Sequence, residues 1–201
     1  MKTELKSFIF TAGNEAGVDE AGRGCLAGPV VAAAAILPVG FHHPLLFDSK
    51  QVKEKDRNAL RVIIEKEALT WAVGMATVEE IDTVNILQAT YLAMHRAIAK
   101  LEIKPLLLAI DGNRFKSFEG IQHETKIGGD AKYAHIAAAS ILAKTHRDEH
   151  MFTLHNDYPE FGWDSNKGYG TARHISALRQ YGQTIHHRKT FVLKTNQLSM
   201  F

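Results

Sequence analysis

Cysteine is nearly absent from this sequence. Cys25 stands alone, which excludes an internal disulfide and a cysteine-rich zinc site and accords with a reducing compartment. Long apolar runs are missing as well: the longest, Pro29 to Leu37, is too short to cross a bilayer, and Met1 to Phe10 carry scattered lysines without the apolar block of a secretory leader. No linker or low-complexity tract divides the 201 residues, so one domain with a real core is expected. A cytoplasmic location with no membrane contact is the matching expectation. Acids are lacking from Ser165 to Phe201, where Lys167, Arg173, Arg179, Arg188, Lys189 and Lys194 are all basic. Net charge is only +2, so the acids concentrate earlier and the end of the chain reads as a cationic surface suited to a polyanion.

What is present centres on Gly17-Val18-Asp19-Glu20-Ala21-Gly22-Arg23-Gly24. Two acids end a short apolar approach, and small residues with one arginine follow. Neighbouring side chains on a strand point to opposite faces, so Asp19 and Glu20 share a site only where the strand ends and Gly22 and Gly24 free the backbone. A metal and phosphate site has this layout; so does a plain strand and glycine turn with solvated acids, and the octet alone does not separate them.

Val18 lies on a first expected strand and Gly28 to Leu37 form a second, whose continuous apolar run calls for cover on both faces. Val52 to Leu69 has a helical face at Leu60, Ile63, Ile64 and Ala68, and Trp71 to Val78 returns to strand character. Thr77-Val78-Glu79-Glu80 has capping-box spacing, so a short helical turn is expected there. The clearest helix runs from Thr83 to Leu101, with a stripe of small residues at Ala89, Ala93 and Ala97. Leu106 to Ile110 is a buried strand ending in Asp111-Gly112-Asn113, and Ile121 to Ile127 another strand. Asp130 precedes an apolar helix over Ala131 to His150 and suits its N-cap. Thr171 caps a last helix through Tyr181, with Gly182 stopping it.

Asp19, Glu20, Asp111 and Asp130 are thus acids at the ends of elements. Asp148 competes, but a continuous helix would hold it roughly 27 Å from Asp130, too far to share an ion. It lies four residues after Lys144 and reads as a surface pair with it.

These blocks, taken with Ala27-Gly28-Pro29-Val30, Asp48-Ser49-Lys50, Asn85-Ile86-Leu87-Gln88-Ala89-Thr90, Ala137 to Lys144, Arg147-Asp148 and Lys167-Gly168-Tyr169-Gly170-Thr171 with His174, resemble bacterial ribonuclease HII in order and across about residues 15 to 191. The resemblance implies an α/β ribonuclease H-like fold with a central mixed sheet flanked by helices and a small helical C-terminal extension. It implies cleavage of RNA in RNA-DNA hybrids and incision beside ribonucleotides embedded in duplex DNA, with roles in ribonucleotide removal and primer processing. The family's metal-binding acids fall on Asp19, Glu20, Asp111 and Asp130, and oxygen donors without cysteine suit two Mg2+ or Mn2+ ions. Its ribonucleotide-sensing parts fall on Gly22, Arg23, Gly24 and Tyr169, and its approaches to phosphates and bases on Lys50, Asn85, Gln88, Lys144, Thr171 and His174. Cys25 departs from the proline common in the family.

The catalytic domain is expected over residues 1–182, with a basic arm and tail over 183–201. His42-His43 and His186-His187 read as surface residues. Gln197-Leu198-Ser199-Met200-Phe201 resembles the peptide by which bacterial replication and repair proteins dock on the sliding clamp, Gln197 as polar anchor and Leu198, Met200 and Phe201 as apolar contacts. A monomer is expected.

Overall fold

The computed structural model of the protein describes residues 5–9, 14–46 and 52–191. Strand β1 (Glu15–Ala21) pairs antiparallel with β2 (Val30–Ile36), Gly17 opposite Ala35 and Ala21 opposite Val31. Every residue of β2 is buried, as its unbroken apolar run requires: Ala32, Ala34 and Ile36 join one apolar cluster, Ala33 and Ala35 the other. β3 (Thr70–Ala76) lies antiparallel along β2. On the other side, β4 (Leu107–Asp111) runs parallel to β1, and β5 (Gln122–Lys126) parallel to β4. The result is the expected mixed sheet, of five strands in the order β3-β2-β1-β4-β5.

Helices cover both faces. α2 (Val78–Ala99) packs Ala89, Ala93, Met94 and Ala97 on one face; α3 (Ala134–Asp157) and α1 (Glu54–Glu67) pack Ala137, Ile141, Leu142, Leu60 and Ile64 on the other. Small residues set how closely these layers approach. A Cβ on Gly74 would lie 2.1 Å from the Ala93 carbonyl oxygen of α2, and one on Gly17 only 2.2 Å from the His135 carbonyl carbon of α3. The alanine stripe of α2 therefore meets a glycine of β3, and α3 sits almost on the backbone of β1. Among the described residues no helix is long and apolar enough to cross a membrane.

Several local expectations change. The Thr77 capping box forms, its hydroxyl accepting from Glu80 N at 3.3 Å and the Glu80 carboxylate accepting from Thr77 N at 2.9 Å. It opens the whole of α2 rather than a short turn. Within α2, Asn85 breaks the helical path with φ 69° and ψ 164°, and its Oδ1 caps the second segment by accepting from Leu87 N and Gln88 N. Asp130 is not the N-cap of α3. It lies in a 3-10 turn, Gly129–Ala131, after Gly128 at φ 63°, and α3 starts later, from Tyr133 with no side-chain cap. Lys144 and Asp148 do pair, at 2.7 Å, but Asp148 is buried rather than at the surface.

A third apolar cluster joins Ala27, Met151, Leu154, Phe161, Trp163 and Ala177, tying α4 (Trp163–Asn166) and α5 (Ala172–Tyr181) to the end of α3. Thr171 caps α5 by accepting from His174 N, and Gly182 ends it at φ 77°. Beyond Gly182 the chain packs back down: His187 and Arg188 are each 1% exposed. His187 is thus no surface residue, and the stretch expected as an arm is anchored at least to residue 191.

The closeness of α3 to β1 sets a stability prediction. Gly17→Ala should lower stability by about 1–3 kcal/mol through overpacking against backbone that cannot retreat, read as a lower urea midpoint with an unchanged slope. An unchanged midpoint would contradict the packing described.

Candidate active site

Parallel pairing of β1 with β4 builds the site. Val18 lies opposite Ile110, and both join the apolar cluster under α2, so the next residue of each strand, Asp19 and Asp111, turns to the α3 face side by side. Asp111 ends β4, and Gly112 turns away at φ 103°. The chain returns so that Gly129 N donates to Asp111 Oδ1 at 2.7 Å. Asp19 is 5% exposed, its Oδ1 accepts from Glu20 N at 2.7 Å, and Ser140 of α3 hydrogen-bonds its carboxyl.

Asp19 and Glu20 both lie inside β1, so the glycines do not release them at a strand end as expected. They remain on opposite faces, and proximity arises differently. β4 stops at Asp111, leaving the end of β1 open on that side, and Glu20 lines two adjoining hollows. One, of about 360 Å3, is walled by Asp19, Glu20, the Gly22-Arg23-Gly24 loop, Asp111, Ser140, Lys144 and Tyr169. The other, of about 280 Å3, holds Glu20, Arg23, Leu87, Tyr91, Asp111 and Arg114.

Burial pushes the Asp19 carboxyl well above the usual carboxylate range, and the charges of Glu20 and then Asp111 push it further, against smaller relief from Ser140 and the Glu20 amide. Glu20 keeps one cation close, Arg23 Nη1 at 3.0 Å. Crowded acids with oxygen donors are the chemistry of a hard divalent cation. Among the described residues no three acid, imidazole or thiol side chains are gathered tightly enough to enclose one ion. Asp130, 4% exposed, follows the glycine whose amide binds Asp111 and is not among the residues lining either hollow. The donor set therefore fits a cation in kind, with Asp19, Glu20 and Asp111 around the hollows and Asp130 next in sequence to the glycine that binds Asp111.

Two buried arginines hold the loops above these acids. Arg188 donates to the carbonyls of Gly22 (2.7 Å), Arg23 (2.8 Å), Gly28 (2.8 Å) and Pro29 (3.2 Å). Burial and the nearby Arg147 charge lower its pKa, against Cys25, Asp82 and Tyr169, to about 10. Arg147 of α3 donates to the carbonyls of Ala27 (3.1 Å), Pro29 (3.0 Å) and Lys167 (2.8 Å). Leu26 N donates to Gly168 O at 2.8 Å, which ties the Gly22–Pro29 turn to the Tyr169 loop. Neither arginine was given a role from the sequence, where Arg188 counted toward a cationic surface. Ser140 was also missed; its signal is a lone hydroxyl in the apolar run Ala137 to Ala143.

Of the other expected substrate contacts, Lys144 and Tyr169 line the acid hollow, Tyr169 being 44% exposed. Asn85, Gln88 and Thr171 are exposed, with Asn85 Oδ1 and the Thr171 hydroxyl occupied as caps. His174 is not among the residues lining either hollow. It is fully buried, its ring enclosed by Trp163, His187 and the Tyr169 carbonyl, because its position on α5 points it into the aromatic cluster. Lys50, Gln197, Leu198, Met200 and Phe201 lie outside the described residues.

Comparison with known proteins agrees with this architecture. The ribonuclease HII family profile matches residues 16–195. The ribonuclease HII of Phocaeicola vulgatus is 60% identical over 179 residues, covering 89% of each chain. Among solved structures, the ribonuclease H2 of Pyrococcus horikoshii superposes with a TM-score of 0.72 at 28% identity, covering 88% of this chain and 93% of the other. The ribonuclease HII of Archaeoglobus fulgidus, solved as a complex with PCNA, shares the fold with a TM-score of 0.75 at 24% identity, over 90% of this chain and 96% of that one. The five-stranded mixed sheet with its helices is thus a ribonuclease H-like α/β fold, and the chain belongs to the ribonuclease HII family, endonucleases of the ribonuclease H type that act on the RNA of RNA-DNA hybrids.

Proposed function

We propose that the protein cuts on the 5′ side of ribonucleotides, both in hybrids and where they are embedded singly in duplex DNA, leaving 3′-hydroxyl and 5′-phosphate ends. The observation that carries this reading is a buried carboxyl, Asp19, crowded by Glu20 and Asp111 in the same hollow that the Gly22-Arg23-Gly24 loop and Tyr169 wall. Acids for phosphodiester chemistry and backbone for sugar recognition share one space.

Asp19, Glu20, Asp111 and Asp130 would hold two Mg2+ or Mn2+ ions, which when bound supply an activated water and charge stabilisation at the departing 3′ oxygen. Ser140 orients the Asp19 carboxyl, and Gly129 N orients that of Asp111. A single 2′-hydroxyl separates RNA from DNA at one position, and rigid backbone polar groups in the Gly22-Arg23-Gly24 turn can hydrogen-bond it while Tyr169 stacks below the sugar. Lys144 faces the phosphates. The protein would act as a monomer in the cytoplasm, in ribonucleotide removal and primer processing, its catalytic domain reaching residue 182. Residues 183–201, whose first part through Arg188 packs back onto that domain, would carry clamp docking through Gln197 to Phe201 at their end.

Asp19→Asn tests the acid site in two ways. Cleavage of a duplex with one ribonucleotide should fall about a hundredfold or more, with binding within about threefold. Normal turnover would refute the assignment. Because the folded protein holds the Asp19 carboxyl above its unfolded value, the folded state favours the proton. The resulting penalty is absent below the unfolded value of about 3.9 and complete above the raised folded value. In EDTA at neutral pH the variant should therefore melt above the wild type, the gap closing as pH falls; a lower melting temperature would show that Asp19 is not strained by its neighbours.

For the tail, deleting Gln197 to Phe201 should abolish clamp association in a pull-down and leave cleavage intact. Unchanged association would end that reading.

A further inference from the structure

Behind Tyr169 lies a file of buried polar groups that the catalytic reading does not use. His174 of α5 and His187 are 0% and 1% exposed, set among Phe161 and Trp163. Their Nε2 atoms are 3.0 Å apart. Thr184 N approaches His187 Nδ1 at 2.9 Å, Trp163 Nε1 approaches His174 Nε2 at 3.2 Å, and His174 Nδ1 lies 2.9 Å from the Tyr169 carbonyl oxygen.

These contacts leave one proton arrangement for the neutral pair. A backbone N–H only donates, so His187 Nδ1 is bare and its proton sits on Nε2. That proton points at His174 Nε2, which also receives the Trp163 N–H and so is bare as well. The His174 proton is then on Nδ1, facing a carbonyl that only accepts. Adding a proton to His174 would bring three donors together at Nε2, in a pocket that burial already keeps unfavourable to charge. His187 is pushed down to about 4 by burial, then by His174 and His186, the titratable groups facing it. The order of donors is directional, from Thr184 through both rings to Tyr169.

The far end is the side chain lining the acid hollow. The Tyr169 carbonyl also accepts from Thr171 N at 2.8 Å, Tyr169 N donates to Asn166 O at 2.9 Å, and the Tyr169 hydroxyl hydrogen-bonds the buried Cys25 thiol. Tyr169 is thus gripped at its backbone and at its tip, while its ring remains open to the cleft. Two imidazoles in an aromatic cluster are costly to bury compared with apolar rings of the same size, so their presence points to a requirement that packing alone does not meet.

We infer that His174 and His187 are positioning residues for ribonucleotide recognition: His187 fixes the tautomer of His174, and His174 fixes Tyr169, although neither imidazole touches nucleic acid. The inference rests on the reading of Tyr169 given under the proposed function, and it replaces the direct substrate contact expected of His174.

The test measures kcat/KM on two substrates, a duplex with one embedded ribonucleotide and a continuous RNA-DNA hybrid, and follows their ratio in the full-length enzyme. His187→Phe keeps the ring volume and removes the donor; the ratio should fall about three- to tenfold, the worth of one positioning hydrogen bond. His187→Gln restores a donor near Nε2 and should stay within about twofold of wild type. In the wild type, long-range proton–nitrogen NMR should show an Nδ1–H tautomer at His174 and an Nε2–H tautomer at His187. A lowered ratio in Tyr169→Ala with an unchanged ratio in His187→Phe would overturn the inference and leave the Tyr169 reading standing. An unchanged ratio in Tyr169→Ala would overturn both, and the opposite tautomers in the wild type would overturn the inference without any variant.

Discussion

The parallel register of β1 and β4 is the constraint on which the rest depends. With Val18 opposite Ile110, the following aspartates face the same layer, and no side-chain choice elsewhere could separate them without breaking the sheet. Carboxylates so placed repel, and burial under α3 removes the water that would screen them. The fold therefore carries an unfavourable electrostatic arrangement at its centre, made tolerable by fixed dipoles: Ser140 and the Glu20 amide at Asp19, the Gly129 amide at Asp111. Repulsion among these acids costs stability, and perturbed carboxyl groups of this kind are characteristic of functional sites.

Around that centre the protein spends buried cations on backbone. Arg147 and Arg188 each saturate carbonyls of the Gly22–Pro29 turn, and a guanidinium so engaged is oriented by several acceptors at once. The turn has little regular structure, so its carbonyls would otherwise lack partners away from water. The same two side chains lie near Cys25, and Arg147 also reaches Lys167, beside the Tyr169 loop. Chain positions far apart in sequence are thereby fixed relative to the acids.

How much of this was legible in the sequence follows from the range of each interaction. Local patterns read well: the unbroken apolar run of β2, the Thr77 box, the Thr171 cap and the strand-end Asp111 depend on neighbours within a few residues. The acid cluster was partly legible, since a glycine beside an acid at a strand end is a local signal. What failed were inferences needing distant partners. Arg188 reads as surface charge until its carbonyl acceptors, 159 and more residues away, are known. His187 reads as solvated until the aromatic cluster of Phe161 and Trp163 closes over it. Asp130 failed for a subtler reason: the Gly128 turn intervenes before the helix begins, so an excellent cap residue was left one turn early.

That displacement has a structural use. Had Asp130 opened α3, its carboxylate would have been engaged with the free amides of the first helical turn. The 3-10 turn instead keeps it off the helix start and carries Gly129 against Asp111, where a Cβ would stand 3.3 Å from Oδ1. The nearest atom a Cβ there would meet is Ile136 Cδ1 at 2.7 Å, so a glycine lets the amide approach that carboxylate beneath the Ile136 side chain. The Gly129 N–H donates to the Asp111 side chain at 2.7 Å, and Asp130 is the next residue along the chain. The geometry of these acids is in this way set by backbone amides as well as by side chains, the Glu20 amide at Asp19 and the Gly129 amide at Asp111.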